Sequence, residues 1–423
     1  MNILKYPDTN QLAEALRRPV SKNSNLNESV ASIINRVKIG GDNAIRELNA
    51  EFDGYTNPEL RVSKEAITQA ASSVNTKIKQ AIDLAYSNIE KFHAAQLPSD
   101  KTIETMAGVI CSIRYRALQR VGLYIPGGTA PLISTVLMLA IPAKVTGCKE
   151  LIFCTPPNPT PELLYALGLF DADIFLVGGA QAIAAMAYGT ETIPRVDKIF
   201  GPGNSYVTEA KIQVASQGVT IDMPAGPSEV LVIADEGANT AFISADVLSQ
   251  AEHGEDSQII MLTNCERILS ETQDEIRRQL SSLPRKAIAE KCLASSSLIL
   301  VSNLKEAMAI SNSYAPEHLI LAVENPNELA AEVTNAGSVF LGYLTPESVG
   351  DYSSGTNHTL PTSGFARSWS GVSTLSFLKT TTYQQLTPTG LQNLAEATIT
   401  LARAEGLEAH ARAVAVRLKE MGV

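Results

Sequence analysis

No two cysteines in this chain stand in a C-x-x-C pair. Cys111, Cys148, Cys154, Cys265 and Cys292 are an odd number, which argues against a disulfide framework or a cysteine-rich metal knuckle. A basic surplus is also missing. Lys and Arg total 34 against 44 Asp and Glu, for a net charge of -10, which excludes the phosphate-binding face that a nucleic-acid partner requires. Long apolar runs are absent as well. The longest, Leu132 to Val145, is too short to span a bilayer and is interrupted by Ser134, Thr135 and Pro142. The opening MNILKYPDTNQL lacks the basic start and apolar core of a secretory signal. We therefore expect reduced thiols in a cytoplasmic protein that touches neither membrane nor nucleic acid.

What remains is an ordinary globular balance, 45% hydrophobic and 18% charged, in 423 residues, enough for more than one domain. Up to about Ile110 the apolar spacing is mostly helical, with a break at Gly40-Gly41. From Val121 the texture changes to apolar strands alternating with helices. LYIP, ELIFCTPP, IFLVGG and EVLVIAD read as strands, with Gly127-Gly128 opening the first turn. A second alternation follows, with QIIMLTN, SLILVS, ILAV and SVFLG as its strands. Such alternation predicts parallel sheets covered by helices on both faces. Tyr343 to about Ser373 reads as a long loop, and from Thr389 two helices flank a break at Gly406.

Histidine is scarce, and it supplies both a base near neutral pH and a metal ligand. Of the five, His253 stands three residues after Gln250; on a helix the two share a face, which fits one metal ion or a capped helix end. His318 follows Glu317 and Pro316, which fits an acid–base pair at a turn or a surface pair. Asp351 and His358 share the Gly- and Ser-rich loop, which suits a site or a lid. His410 lies on the apolar stripe of the last helix with Val414 and Leu418, and Glu405 stands across the Gly406 break. His93, in EKFHAAQ, has no partner in reach and is expected at the surface. The turns VGGAQA and GPGNSY each follow a strand and open a helix, offering backbone N–H groups to an anion, but neither matches G-x-G-x-x-G.

Read together, these segments resemble the histidinol dehydrogenase family. The likeness runs from GGDNAIRELNAEFDG to EGLEAHARAV, through LYIPGGTAPLISTVLM, VGGAQAIAAMAYGT, KIFGPGNSYV, IDMPAGPSEVLVIAD, LSQAEHGEDSQ, YAPEHL and GDYSSGTNHTLPT in order. The resemblance implies zinc held by Gln250, His253, Asp351 and His410, and Glu317 and His318 as acid–base pair. It implies that Ser228, His358 and Glu405 join these residues in holding L-histidinol, and that Tyr124, Gln181 and Asn204 contact NAD. The implied fold is α/β, with two Rossmann-like doubly wound parallel-sheet domains and small helical extensions at both ends. Residues 1–16 form the N-terminal extension, 17–123 plus 230–371 one discontinuous domain, 124–229 the other, and 372–423 a helical tail. A homodimer with exchanged tails is implied too. The rivals are a related zinc and NAD dehydrogenase for another alcohol such as a sulfonated diol, a zinc hydrolase, and a silent binding protein.

Overall fold

The structure, a computed structural model, describes residues 1–19, 25–127, 132–224 and 226–422. Gly128 of the expected glycine turn lies outside them.

The apolar runs become two parallel sheets. Five strands, in spatial order Asp173–Leu176, Glu150–Thr155, Arg120–Tyr124, Lys198–Phe200 and Thr220–Ile221, form the first. Six form the second: Asn2–Lys5, Ser297–Leu300, Gln258–Thr263, Glu229–Ala234, His318–Ala322 and Ser338–Leu341. Every residue of Glu229–Ala234 and Gln258–Thr263 is buried, as expected for central strands with helices on both faces. The expected α/β class is the one observed.

Three features depart from the sequence reading. The first residues are not a purely helical extension: Asn2–Lys5 is the edge strand of the six-stranded sheet, and only then does the helix Thr9–Ala15 begin. Secondly, the helices Leu26–Asp53, Lys64–Ser73 and Thr76–Ala94 do not join the second α/β unit, as the discontinuous domain 17–123 plus 230–371 implies. They bury their apolar faces on the first. Val30, Ile33, Ile34, Val37, Ile45 and Leu48 pack with Ile183, Met186 and Val214, and Ile82, Ala85 and Ile89 pack with Val136, Leu139 and Phe153. The Asn49 amide donates to the Leu176 carbonyl at 2.8 Å, tying helix to strand. Thirdly, Lys101–Met106, Val109–Ala117 and Leu378–Leu386 form an antiparallel three-stranded sheet that the sequence reading lacks. The helices Pro388–Ala404 and Glu408–Glu420 follow it as a hairpin, turning at Gly406 with φ 76°. That arm leaves Leu401, Leu407 and Val416 exposed in the single chain.

The helix Leu26–Asp53 is bent at Gly41, whose φ of 51° and ψ of -135° are not helical. The Glu191 carboxylate accepts from the Asp42 N–H there at 2.8 Å, satisfying a donor that the bend frees. Among the described residues no helix is long and apolar enough to cross a membrane.

Candidate active site

The six-stranded sheet positions Glu317 and His318. Helix Leu304–Tyr314 ends at Ala315 in the left-handed region (φ 56°), and Pro316 then turns the chain so that strand His318–Ala322 begins one residue after Glu317. Both side chains are buried beneath the amino end of the neighbouring strand. The Glu229 N–H donates to Glu317 Oε2 at 2.8 Å, and His318 Nδ1 lies 3.1 Å from the Glu229 carbonyl. A carbonyl only accepts, so Nδ1 carries a proton, and in the neutral ring Nε2 presents its lone pair.

That Nε2 has no partner and stands 3.7 Å from Asp351 Oδ1. On the other side of the ring, Glu317 Oε2 and Glu347 Oε1 lie 3.6 and 3.7 Å from Nδ1. Burial pushes the carboxyls of Glu317 and Glu347 up to about 8. For His318 burial works downward, but the carboxylates of Glu347, Glu317 and Asp351 outweigh it and hold the imidazole well above its ordinary value. Asp351 responds oppositely: burial would raise it, and the neighbouring His318 keeps it low.

The ligating atoms of His253, Glu347 and Asp351 lie within 4.8 Å of one another, close enough to share one ion. Gln250 is the penultimate residue of the helix Thr240–Ala251, and both its amide atoms are buried without a partner. A buried amide with neither hydrogen bond made is costly. The imidazole of His253 and the carboxylates of Glu347 and Asp351, gathered around one point, form a donor set that fits a divalent cation such as zinc, and the unpartnered Gln250 amide stands three residues before His253. His358 borders the same group: its Nδ1 donates to the Asp351 carbonyl at 2.9 Å, and Nε2 accepts from the Thr135 hydroxyl at 3.2 Å. Ser228 and His253 line a cleft of about 670 Å³ that runs between the two sheets to Asn204.

At the far end of that cleft, Tyr124, Gly127, Pro156, Gly179, Gln181 and Asn204 line a pocket of about 450 Å³. Tyr124 closes a strand of the first sheet, and its hydroxyl accepts from the Gly179 N–H at 3.0 Å. The helices Gly179–Tyr188 and Ser205–Ala215 both begin at this pocket. Gly201, at φ 129°, lies so near the Tyr124 carbonyl that a Cβ would come within 2.2 Å of its oxygen. Helix N-termini and close backbone approach suit the pyrophosphate of a dinucleotide.

The expected residues divide accordingly. Ser228 and His253 line the cleft, His253 shares a cluster with Asp351, His318 adjoins both Asp351 and Glu317, and His358 bonds to the Asp351 carbonyl, while Tyr124, Gln181 and Asn204 line the adjoining pocket. His410 and Glu405 are exposed at the corner of the C-terminal hairpin, and His410 is outside the cluster within the single chain. His93 corrects the surface expectation. It is fully buried, donates from Nδ1 to the Ile89 carbonyl at 2.8 Å and accepts from the Asn357 amide at 3.3 Å. Its place on the stripe Ile82, Ala85, Ile89 was the available signal. Glu347 is the residue the sequence reading missed. It stands four residues before Asp351 on the short helix Glu347–Tyr352, a spacing that puts two carboxylates on one face.

Comparison with known proteins agrees with this geometry. The family model described as histidinol dehydrogenase matches residues 16–418. A histidinol dehydrogenase of Bacteroides fragilis is 53% identical over 426 residues, covering 100% of each chain. One of Vibrio cholerae is 51% identical, covering 97% of this chain and 96% of its own. The crystal structure of histidinol dehydrogenase from Elizabethkingia anophelis superposes with a TM-score of 0.97 at 49% identity, over 100% of this chain and 99% of that one. The chain belongs to the histidinol dehydrogenase family, a family of oxidoreductases.

Proposed function

We propose that the protein oxidises L-histidinol to L-histidine through a retained aldehyde, with water and two NAD consumed and two NADH and three protons released. The observation that carries this reading is the unpartnered Nε2 of His318, facing the donor cluster from a tautomer fixed by the Glu229 carbonyl. His318 Nε2 takes the hydroxyl proton of the alcohol. Glu317, buried beside it with a carboxyl pushed up to about 8, is placed to exchange protons with the water that adds to the aldehyde. Ser228, His358 and Glu405 hold the substrate, and retaining the aldehyde in the cleft keeps it from side reactions in bulk water.

Gln250, His253 and Asp351, with His410 of the partner subunit, would hold zinc, and Glu347 adjoins that set. Zinc there supplies a template for the imidazole and amine nitrogens of the substrate. NAD, against Tyr124, Gln181 and Asn204, supplies the hydride acceptor. The exposed arm from Leu378 onward supports a homodimer with exchanged tails, which would bring His410 and Glu405 to the partner's cleft. The absence of a long apolar helix among the described residues fits a cytoplasmic enzyme. The relatives named above are histidinol dehydrogenases, and none of them supports the sulfonated-diol reading.

The test is NADH formation from L-histidinol, with and without a chelator. Turnover should vanish on metal removal and return with zinc; full activity in metal-free protein, or none in metal-loaded protein, sinks the proposal. Mixing His410→Ala with Glu317→Gln protein should create hybrids with one intact site. No recovered activity despite measured subunit exchange would leave the tails unshared.

A further inference from the structure

Both members of the acid–base pair take their orientation from one residue's main chain, the N–H and carbonyl of Glu229. The side chain of that residue is 4% exposed. Its carboxyl group meets Arg18 in a two-pronged contact, Nε at 2.5 Å and a terminal nitrogen at 2.9 Å, and accepts from the Ser363 N–H at 2.8 Å. Strand position alone does not require such an arrangement.

Arg18 reaches the pair from a second direction. Its guanidinium lies 3.9 Å over the Tyr314 ring and donates to the Tyr314 carbonyl at 2.8 Å. Tyr314 is the last residue of the helix whose turn, through Ala315 and Pro316, delivers Glu317. The Tyr314 hydroxyl donates to Gln258, which pairs with Glu229 in the neighbouring strand, and Gln258 donates back to the Arg17 carbonyl at 2.9 Å. The guanidinium thus joins the strand that orients the pair to the turn that carries it. Arginine suits this place because its planar fork grips a carboxylate with two bonds while its face stacks on a ring; lysine does neither.

We propose that Arg18 and Glu229 are positioning residues for Glu317 and His318, holding strand and turn in the register that the acid–base chemistry requires. This rests on the reading that Glu317 and His318 perform that chemistry. Neither Arg18 nor Glu229 belongs to the metal cluster or the cofactor pocket, so their loss acts on turnover and spares binding.

The test uses zinc-loaded full-length protein carrying Arg18→Lys, Glu229→Gln or both. Each single variant should lose about 10- to 100-fold in kcat, the range a small misplacement of reacting groups produces. KM for histidinol and for NAD should stay within about twofold and zinc content at the parental level, the pattern of an interaction realised in turnover. The double variant should fall no further than the worse single, because both substitutions break one linkage. Glu229→Gln keeps the shape and one acceptor oxygen, so it serves if Arg18→Lys does not fold. Parental kcat in a folded variant, parallel loss of zinc and both KM values, or losses that multiply would overturn the proposal. A parent inactive on histidinol would instead overturn the functional reading.

Discussion

The two parallel sheets share an architecture and use opposite ends of it. In the five-stranded sheet the pocket lies past the carboxyl ends of the strands, where Tyr124, Gly179 and Asn204 follow in turn. In the six-stranded sheet Glu229, Gln258 and His318 each begin a strand, so the proposed acid–base pair sits at the amino edge. Its carboxyl edge forms a separate pocket of about 700 Å³ lined by Asp235, Glu236, Glu266 and Glu324. Helix direction explains the division. Helices start at the carboxyl edge and end at the amino edge, so the first offers partial positive charge and the second partial negative charge. A dinucleotide's phosphates belong with the former. A cation belongs with the latter, where helix Thr240–Ala251 ends just after Gln250. Opposed use of two similar units lets both edges face one cleft.

This division can be broken in several ways. The largest effect is expected for His318→Asn, which removes the base: kcat for alcohol and aldehyde should drop about 100- to 10,000-fold. Calorimetry should find NAD affinity and zinc content nearly unchanged; a large loss of NAD affinity would mean the edges are not separate. On the other sheet, Gly201→Ala forces a Cβ toward the Tyr124 carbonyl at a left-handed φ. It should raise KM for NAD about tenfold or more, as even a small misfit at a tight site does, and leave the zinc in place. Unchanged NAD kinetics would remove the carboxyl edge from cofactor binding.

A smaller effect concerns pH. Burial pushes Asp246, on the helix leading to Gln250, up to about 7 from an ordinary 3.8. The folded state therefore holds this proton more tightly than the unfolded chain. The associated stability is complete below about pH 4 and is lost as pH rises through 7. Asp246→Asn should accordingly gain about 1 kcal/mol over the parent at pH 8 and much less at pH 5, by denaturant titration. An equal gain at both values would deny the carboxyl its burial.

The sequence disclosed central parallel strands such as Glu229–Ala234 and Gln258–Thr263 because each is apolar on both faces, a pattern that surface loops do not produce, and it missed the exposed edge strand Asn2–Lys5. It hid Lys101–Met106 and Leu378–Leu386, since both are exposed along nearly their whole length in the single chain and carry no inward stripe. Helix periodicity found Leu26–Asp53 but not its partner, because an apolar stripe fits any apolar surface. At the site, residue types and neighbours were legible while convergence was not: nothing in the spacing of His253 and Asp351, 98 positions apart, says that their ligating atoms approach within 4.8 Å. The family resemblance supplied that. It did not supply Arg18, whose role depends on where Glu229 and Tyr314 meet.

The bend at Gly41 has a reach of its own. Ile33 and Asp53 both line the pocket beside Tyr124, yet a straight helix would separate them by about 30 Å. One wall of the proposed dinucleotide chamber is therefore a folded rod, and its opening angle sets how wide the chamber stands. On that proposal, affinity for the cofactor can be tuned at a joint outside the chamber's lining, braced from outside by Glu191.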